Sequence, residues 1–128
     1  MQDEGFHLLV EIFAFGQKLL AVVDTGASRS VFDQSFMKEN VKDLQYSKES
    51  QATTLFATSN TFQAVIPELK IGRLRLLNYL TIALDLQTVN EAYEDLGHPR
   101  IIAILGSDLL LKHKAVINYN IMKLRLAP

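Results

Sequence analysis

The sequence predicts a mainly β domain with two or three short helices, and three observations lead there. Apolar and polar residues alternate along the first stretch. Glycines fall where hairpins must turn, and helical spacing of apolar residues is confined to short segments.

Residues Phe6–Phe15 place Phe6, Leu8, Val10, Ile12 and Ala14 on one face, and Gly16-Gln17 then breaks the run. Lys18–Val23 follows as the second arm of a hairpin. Ser30-Val31-Phe32 is a short extended piece, after which Asp33 can cap a brief helix through Met37 and Lys38. Residues Glu39–Ser50 are polar and loop-rich. Ala52–Ala57 and Thr61–Ile66 flank the polar tip Thr58-Ser59-Asn60 as another hairpin. Leu69–Ile71, a Gly72-Arg73 turn and Leu74–Leu84 predict a third hairpin with a long second arm.

Thr88–Leu96 is the clearest surface helix. Val89, Ala92, Tyr93 and Leu96 recur at helical spacing, Glu91, Glu94 and Asp95 face outward, and Gly97-His98-Pro99 stops it. Arg100–Leu105 is a strand of buried type and Ser107–Lys112 a short helix. Ala115–Asn118 and Lys123–Leu126 close the chain as a hairpin around Tyr119–Met122. No linker or low-complexity stretch divides residues 1–128, so one domain is expected.

Composition narrows the function classes. The 128 residues are 48% hydrophobic and 21% charged, the balance of an ordinary globular domain. Thirteen basic against 14 acidic residues give a net charge of −1, and neither half holds the basic field a polyanion binder needs, so nucleic acid is not an expected partner. Arg73, Arg75, Lys123 and Arg125 alternate with leucines and read as solvent faces of strands. The absence of cysteine removes disulfides, thiolate metal sites and a cysteine nucleophile. No apolar run exceeds five residues, far short of the ~20 that span a bilayer as a helix. The acidic start Met1-Gln2-Asp3-Glu4-Gly5 lacks a secretory pattern, which makes the cytoplasm the expected compartment as the sequence stands, with the periplasm or the exterior as the alternative for a chain trimmed of its targeting segment.

One segment carries chemistry: Leu20-Ala21-Val22-Val23-Asp24-Thr25-Gly26-Ala27-Ser28. An apolar strand runs into a carboxylate, a setting in which burial and neighbours tune charge. Gly26 permits a tight turn and a close ligand, and the small residues after it leave room for a substrate. A lone Asp-Thr-Gly is weak evidence, since it arises by chance in roughly 2–3% of chains this long. A second element changes the weighing. Ile101–Leu105 is again an apolar strand ending at a glycine, Gly106, and leading into a helix.

On these residues the chain resembles the retropepsin-like aspartic proteases, the family of retroviral proteases and their bacterial and cellular relatives. The strand with Asp24-Thr25-Gly26-Ala27, the Ala52–Ile66 hairpin, Ile104-Leu105-Gly106 with its helix, and the Ala115–Leu126 hairpin follow the family's order over nearly the whole chain. The resemblance implies a closed β-barrel-like lobe, one per chain. It makes Asp24 the catalytic aspartate, with Thr25 bonding across a subunit boundary and Gly26 presenting backbone groups to the site. It implies substrate contacts at Ala27 and Ser28 and at a flap comprising Phe56, Ala57, Thr58, Ser59 and Asn60. Phe56 and Phe62 flank that tip, as core packing or as pocket walls. The implied chemistry uses two carboxylates that share a proton and activate water, with no metal and no cofactor.

A single Asp-Thr-Gly supplies half of such a site, so the expected working form is a twofold homodimer acting on a peptide or protein substrate. Retroviral relatives carry an Asp and an Arg where this chain has Ser28 and Ser107. Both members of that ion pair are replaced together, which leaves no orphan charge. The tip Ala57–Asn60 also lacks glycines. An alternative is a non-catalytic domain of the same fold that captures extended peptides. A third resemblance, of Val23–Ser28 to the phosphate loop of actin-like ATPases, requires two large domains that 128 residues do not hold. His7, His98 and His113 show no ligand spacing, and Ser28 and Ser107 lack the Gly-x-Ser-x-Gly setting of a serine hydrolase.

Overall fold

A tight turn closes the first hairpin and starts the barrel. In the computed structural model, which describes residues 2–4, 7–41, 45–46, 52–53, 58–59 and 62–128, strand β1 (Gln2–Glu4) pairs with β2 (His7–Ala14). Strand β2 pairs antiparallel with β3 (Gln17–Val23) from Leu8↔Val23 to Ala14↔Gln17. Phe15 and Gly16 form the two-residue turn with φ of 53° and 69°. Positive φ at both positions matches the twist of hairpin arms, so the break falls one residue earlier than the Gly16-Gln17 expected from composition. The Phe15 ring packs edge-on against Phe36 at 5.9 Å between centroids, a contact that offsets the cost of its left-handed backbone.

Strand β4 (Val31–Asp33) runs directly into α1 (Gln34–Asn40). Asp33 stands at the helix start, yet its side chain makes no capping bond. Its buried carboxylate is committed elsewhere, as described below, and the capping role expected of it does not hold. Three two-residue strands follow: β5 (Gln45–Tyr46), β6 (Ala52–Thr53) and β7 (Thr58–Ser59). Strands β6 and β7 pair as Ala52↔Ser59 and Thr53↔Thr58, so Thr58 and Ser59 belong to a strand rather than to the hairpin's turn.

Strand β8 (Phe62–Ile71) is one continuous arm, where the sequence reading had separated Thr61–Ile66 from Leu69–Ile71. It pairs with β9 (Leu74–Leu84) across the Gly72-Arg73 turn. The register passes from Ile66↔Tyr79 to Glu68↔Leu77, leaving Pro67 opposite Asn78. Proline has no N–H to give the ladder, and Asn78 answers with φ of 51°, a conformation asparagine tolerates. Pro67 thus sits at a skipped rung and does not end the strand.

Helix α2 (Gln87–Asp95) leads to β10 (Ala103–Leu105), which is followed by α3 (Ser107–Lys112) and the separate hairpin of β11 (Val116–Asn118) and β12 (Lys123–Arg125). The main sheet runs β1-β2-β3-β10-β4-β9-β8-β5, and a further β2–β8 pairing joins Phe13↔Lys70 and Ala14↔Leu69. That pairing closes β2, β3, β10, β4, β9 and β8 into a six-stranded barrel. The β3–β10 and β4–β9 pairs are parallel; the other four are antiparallel.

Inside, Ile12, Phe32, Met37, Ile66, Leu69 and Leu105 are fully buried, each contributing roughly 1.5–3 kcal/mol of transfer free energy. Strand alternation leaves a second apolar surface outside the barrel wall. There Leu9, Val22 and Ile101 pack with Val89 and Tyr93 of α2, and Val31, Ile82, Leu84 and Leu86 form an adjoining cluster. Among the described residues, no helix is long and apolar enough to cross a membrane.

Candidate active site

Two glycine turns at the ends of adjacent parallel strands build the site. Strands β3 and β10 run side by side in the register Val23↔Leu105, and the Asp24 amide continues the ladder by donating to Leu105 O at 2.9 Å. Asp24 therefore leaves the sheet at a fixed point, with its side chain exposed. The Gly26 amide donates to Asp24 Oδ1 at 2.9 Å, and the Ala27 amide donates to Asp24 O at 3.2 Å. These bonds fold Asp24–Ala27 into a compact turn that presents the carboxylate to solvent. A Cβ on Gly26 would lie 3.3 Å from Asp24 Oδ1, so a side chain there would oblige the carboxylate to give by a few tenths of an ångström.

The second turn holds the first in place. The Ser107 amide donates to Ala27 O at 2.7 Å. A Cβ on Gly106 would meet Ala27 O at 2.7 Å and the Arg29 carbonyl carbon and oxygen at 2.8 Å each, backbone atoms that have little freedom to yield. Only glycine fits there. Beneath this contact Ser30, almost fully buried, accepts from the Gly106 amide at 2.8 Å through its Oγ and donates to Asp108 Oδ1 at 2.7 Å. The same Asp108 oxygen accepts from the Ser30 amide at 2.9 Å and from the Leu109 amide at 2.8 Å.

Ser30 and Asp108, neither singled out from the sequence, are thus the side-chain brace between the two turns. A lone serine between Arg29 and the buried strand, and an acid in the first turn of a helix, were the available signals. Tyr79 on β9 reaches the same brace. Burial, with the nearby Asp108 charge, pushes its phenol up to about 12, while the contact with Ser30 pulls the other way.

A third element stands beside Asp24. The excursion carrying α2 is tied at its base by Asp33, whose Oδ1 accepts from the Leu86 amide at 3.2 Å and whose Oδ2 accepts from Arg100 at 3.1 Å. Asn90 then clamps the helix to the strand approach: its Nδ2 donates to Ile101 O at 3.0 Å, and the Ile101 amide donates to its Oδ1 at 2.8 Å. These ties shorten β10 to Ala103–Leu105, against the Arg100–Leu105 expected from apolar content. Val89 and Tyr93 face the barrel wall as predicted. Ala92 and Leu96 are exposed and do not join the apolar contact. Burial raises the Tyr93 phenol above its ordinary value, and the charge of Asp24 adds to the rise.

Residues 10–109 match the family model described as aspartyl protease. The chain belongs to that family. The aspartyl protease lobe it forms is similar to the retroviral protease-like domain of Ddi1 from Leishmania major, with a TM-score of 0.65 at 12% identity over 96% of this chain and 90% of that one. A retropepsin-like aspartic protease from Rickettsia conorii aligns with a TM-score of 0.60 at 19% identity over 92% of this chain and 79% of that one. EIAV protease, solved with an inhibitor, aligns with a TM-score of 0.63 at 15% identity over 92% and 98%. No curated protein sequence matches the chain. The retropepsin-like fold expected from the sequence is therefore the fold observed.

The predicted site residues divide into two sets. Asp24, Thr25, Gly26, Ala27 and Ser28 share one turn, with Thr25 and Ser28 exposed and Ala27 half-buried. Of the expected flap, Thr58 and Ser59 lie in β7, while Phe56, Ala57 and Asn60 fall outside the described residues. Phe62 packs against the barrel core, and Lys38 Nζ lies 5.3 Å from its ring centroid, which assigns this ring to packing. His113 is buried with Nδ1 at 2.9 Å from Ala127 O, and His98 packs edge-on against Tyr93. Among the described residues no group of three or more His, Asp or Glu could hold a metal ion.

Proposed function

We propose that the chain is a peptidase acting as a twofold homodimer, with Asp24 of each subunit meeting at the axis. The observation that carries this reading is the Asp24 carboxylate itself: exposed, anchored through the Gly26 amide, and mounted on a turn seated against Gly106. One carboxylate takes a proton from a water molecule as that water attacks the scissile carbonyl carbon. The other donates its proton to the carbonyl oxygen. The resulting gem-diol then collapses, the C–N bond breaking as the leaving nitrogen takes the proton that the first acid gained from water. The roles require the two acids to share one proton beforehand. One chain holds a single Asp-Thr-Gly, so the second acid comes from the second copy. The substrate is an extended peptide, and Thr25 braces the paired turns across the axis.

Asp24→Asn keeps the shape of the turn and removes the base. Cleavage of a mixed peptide pool at mildly acidic pH should fall by at least 10³-fold, while sedimentation and thermal unfolding stay at wild-type values. Undiminished cleavage by that variant would overturn the assignment. A second reading is favoured by the segment Ala52–Asn60, which has no glycine to hinge a lid. In that reading the domain binds extended peptides without turnover, and peptide binding that a statine-type mimic does not compete with is its signature.

A further inference from the structure

The outer wall of the barrel carries one row of side chains that solvation alone does not explain. Phe13 of β2 stands directly opposite Lys18 of β3 on one side and Lys70 of β8 on the other, and Lys70 in turn stands opposite Arg75 of β9. Directly opposed residues of antiparallel strands share a face, so Lys18, Phe13, Lys70 and Arg75 form a single row across four strands. All four are exposed, Phe13 at 42%. At about 4.8 Å per strand the row spans roughly 14 Å, the length of four to five extended residues.

Stability disfavours such a row. Lys70 and Arg75 are like charges placed opposite each other, and the Phe13 ring between two lysines is left half in water. Two carboxylates temper the repulsion. Glu11 Oε1 lies 3.3 Å from Lys18 Nζ, while Glu68 lies 3.3 Å from Lys70 Nζ through Oε1 and 2.6 Å from Arg75 Nη2 through Oε2. The Arg75 guanidinium, with the Lys70 ammonium, holds the Glu68 carboxyl below its ordinary range. Lys18, Lys70 and Arg75 against Glu11 and Glu68 still leave a surplus of positive charge, to which Arg73 in the adjoining turn adds. Exposed ion pairs are individually weak, and lysine and arginine have further donors, so an incoming carboxylate can share them.

A cleft of about 230 Å³ opens beside Phe13, with Phe13, Phe15 and Pro67 on its apolar side and Glu68 and Lys70 on its polar side. It is smaller than the roughly 300–1,000 Å³ of sites that enclose a small molecule, and it has room for one apolar side chain. Two backbone irregularities border it: the left-handed Phe15 and the skipped rung at Pro67. Features of this kind re-aim side chains beside functional sites. Lys18 precedes Asp24 by six residues along β3, about 20 Å, so the cleft is separate from the carboxylate turn.

We propose that this row and cleft form a docking site for an extended acidic peptide segment of a partner protein, with one apolar side chain in the cleft and carboxylates on either side meeting Lys18, Lys70 and Arg75. The site is independent of the Asp24 chemistry and operates whether or not the chain cleaves what it binds.

The test is fluorescence polarisation of a labelled pentapeptide, one phenylalanine flanked on each side by two glutamates, titrated with the full-length chain. Saturable binding should weaken by roughly 10-fold or more for Lys18→Glu and for Lys70→Glu, and several-fold when ionic strength rises from about 0.05 to 0.5 M. Phe13→Ser, or serine in place of the peptide's phenylalanine, should weaken it by about fivefold or more. Lys70→Gln removes the charge without adding repulsion and keeps the test decisive where charge reversal lowers the melting temperature. Asp24→Asn should bind as wild type does. Absence of saturable binding below about 1 mM, or equal binding by all these variants, would overturn the inference. So would competition by a statine-type mimic, which would put the peptide at Asp24. Tighter binding of an oligonucleotide or of vesicles with anionic headgroups, lost in the same variants, would overturn the peptide as occupant. None of these results bears on the peptidase reading, which stands or falls on cleavage by wild type and Asp24→Asn.

Discussion

The two glycine turns that meet at the site look alike in sequence and differ in what they do. Val22-Val23-Asp24-Thr25-Gly26 and Ile104-Leu105-Gly106-Ser107 each end a strand of the same parallel pair. In the first, glycine brings an amide to a carboxylate, and the residues around it stay exposed. In the second, glycine is buried and has no chemistry of its own; it lets one backbone lie on another at distances that no side chain permits. One turn carries the reactive group and the other fixes its position. Substitutions in the first should therefore cost activity at constant stability, and substitutions in the second should cost stability first.

The sharpest way to break that contrast is Gly106→Ala. The new methyl group would sit 2.7–2.8 Å from Ala27 O and from the Arg29 carbonyl group, so the turns must separate. Overpacking of this kind costs typically about 1–3 kcal/mol, and backbone neighbours place this case at the top of that range. At this chain length the melting temperature should fall by roughly 10 °C, read by circular dichroism, and activity should fall with it because Asp24 is displaced. A variant with wild-type stability and lost activity would reverse the roles assigned to the two turns.

Ser30→Ala tests the brace below them and should have a smaller effect. It removes the Oγ bond to Asp108 and leaves the buried Gly106 amide without its acceptor. An unsatisfied buried donor costs about 1–3 kcal/mol, measurable as a lower urea midpoint with an unchanged slope. Ser30→Thr keeps the hydroxyl and should recover most of the loss. A destabilisation equal for Thr and Ala would assign the effect to packing rather than to the brace.

Local patterns made much of this legible in advance. Alternation and turn residues predicted both arms of the first hairpin, the α3 segment Ser107–Lys112 agrees residue for residue, and the Asp24 turn was found from a strand followed by an acid and a glycine. What escaped was long-range. Asp33 has the look of a helix cap, yet its partners Leu86 and Arg100 lie 53 and 67 residues away, and only closure of the barrel brings them near. Ser30 and Asp108 are 78 residues apart, and nothing in either segment marks the other. Pro67 is a strand breaker on local grounds and is accommodated because Asn78 gives up its rung in the facing strand. Ala92 and Leu96 share helical spacing with Val89 and Tyr93, but the clamp at Asn90 turns the helix so that only the latter pair reaches the wall.

Tyr79 offers the gentlest probe of the brace, because it reports without cutting a bond of either turn. Its phenol ordinarily titrates near 10, and burial beside the Asp108 charge raises it to about 12 in the folded protein. Between those values the folded state holds a proton that the unfolded chain has released, so stability must fall as pH rises through that window and is unaffected well below pH 10. One such group sets a limiting slope of about 1.4 kcal/mol per pH unit. Urea unfolding of wild type and Tyr79→Phe across the alkaline range should give curves that converge with rising pH, since the variant has nothing to ionise there. Asp108→Asn removes the charge that opposes phenolate formation, so the folded-state value moves back toward the ordinary one. The alkaline loss of stability, measured from each protein's own neutral value, should then be smaller than in wild type. Parallel curves for wild type and Tyr79→Phe would detach Tyr79 from the brace altogether.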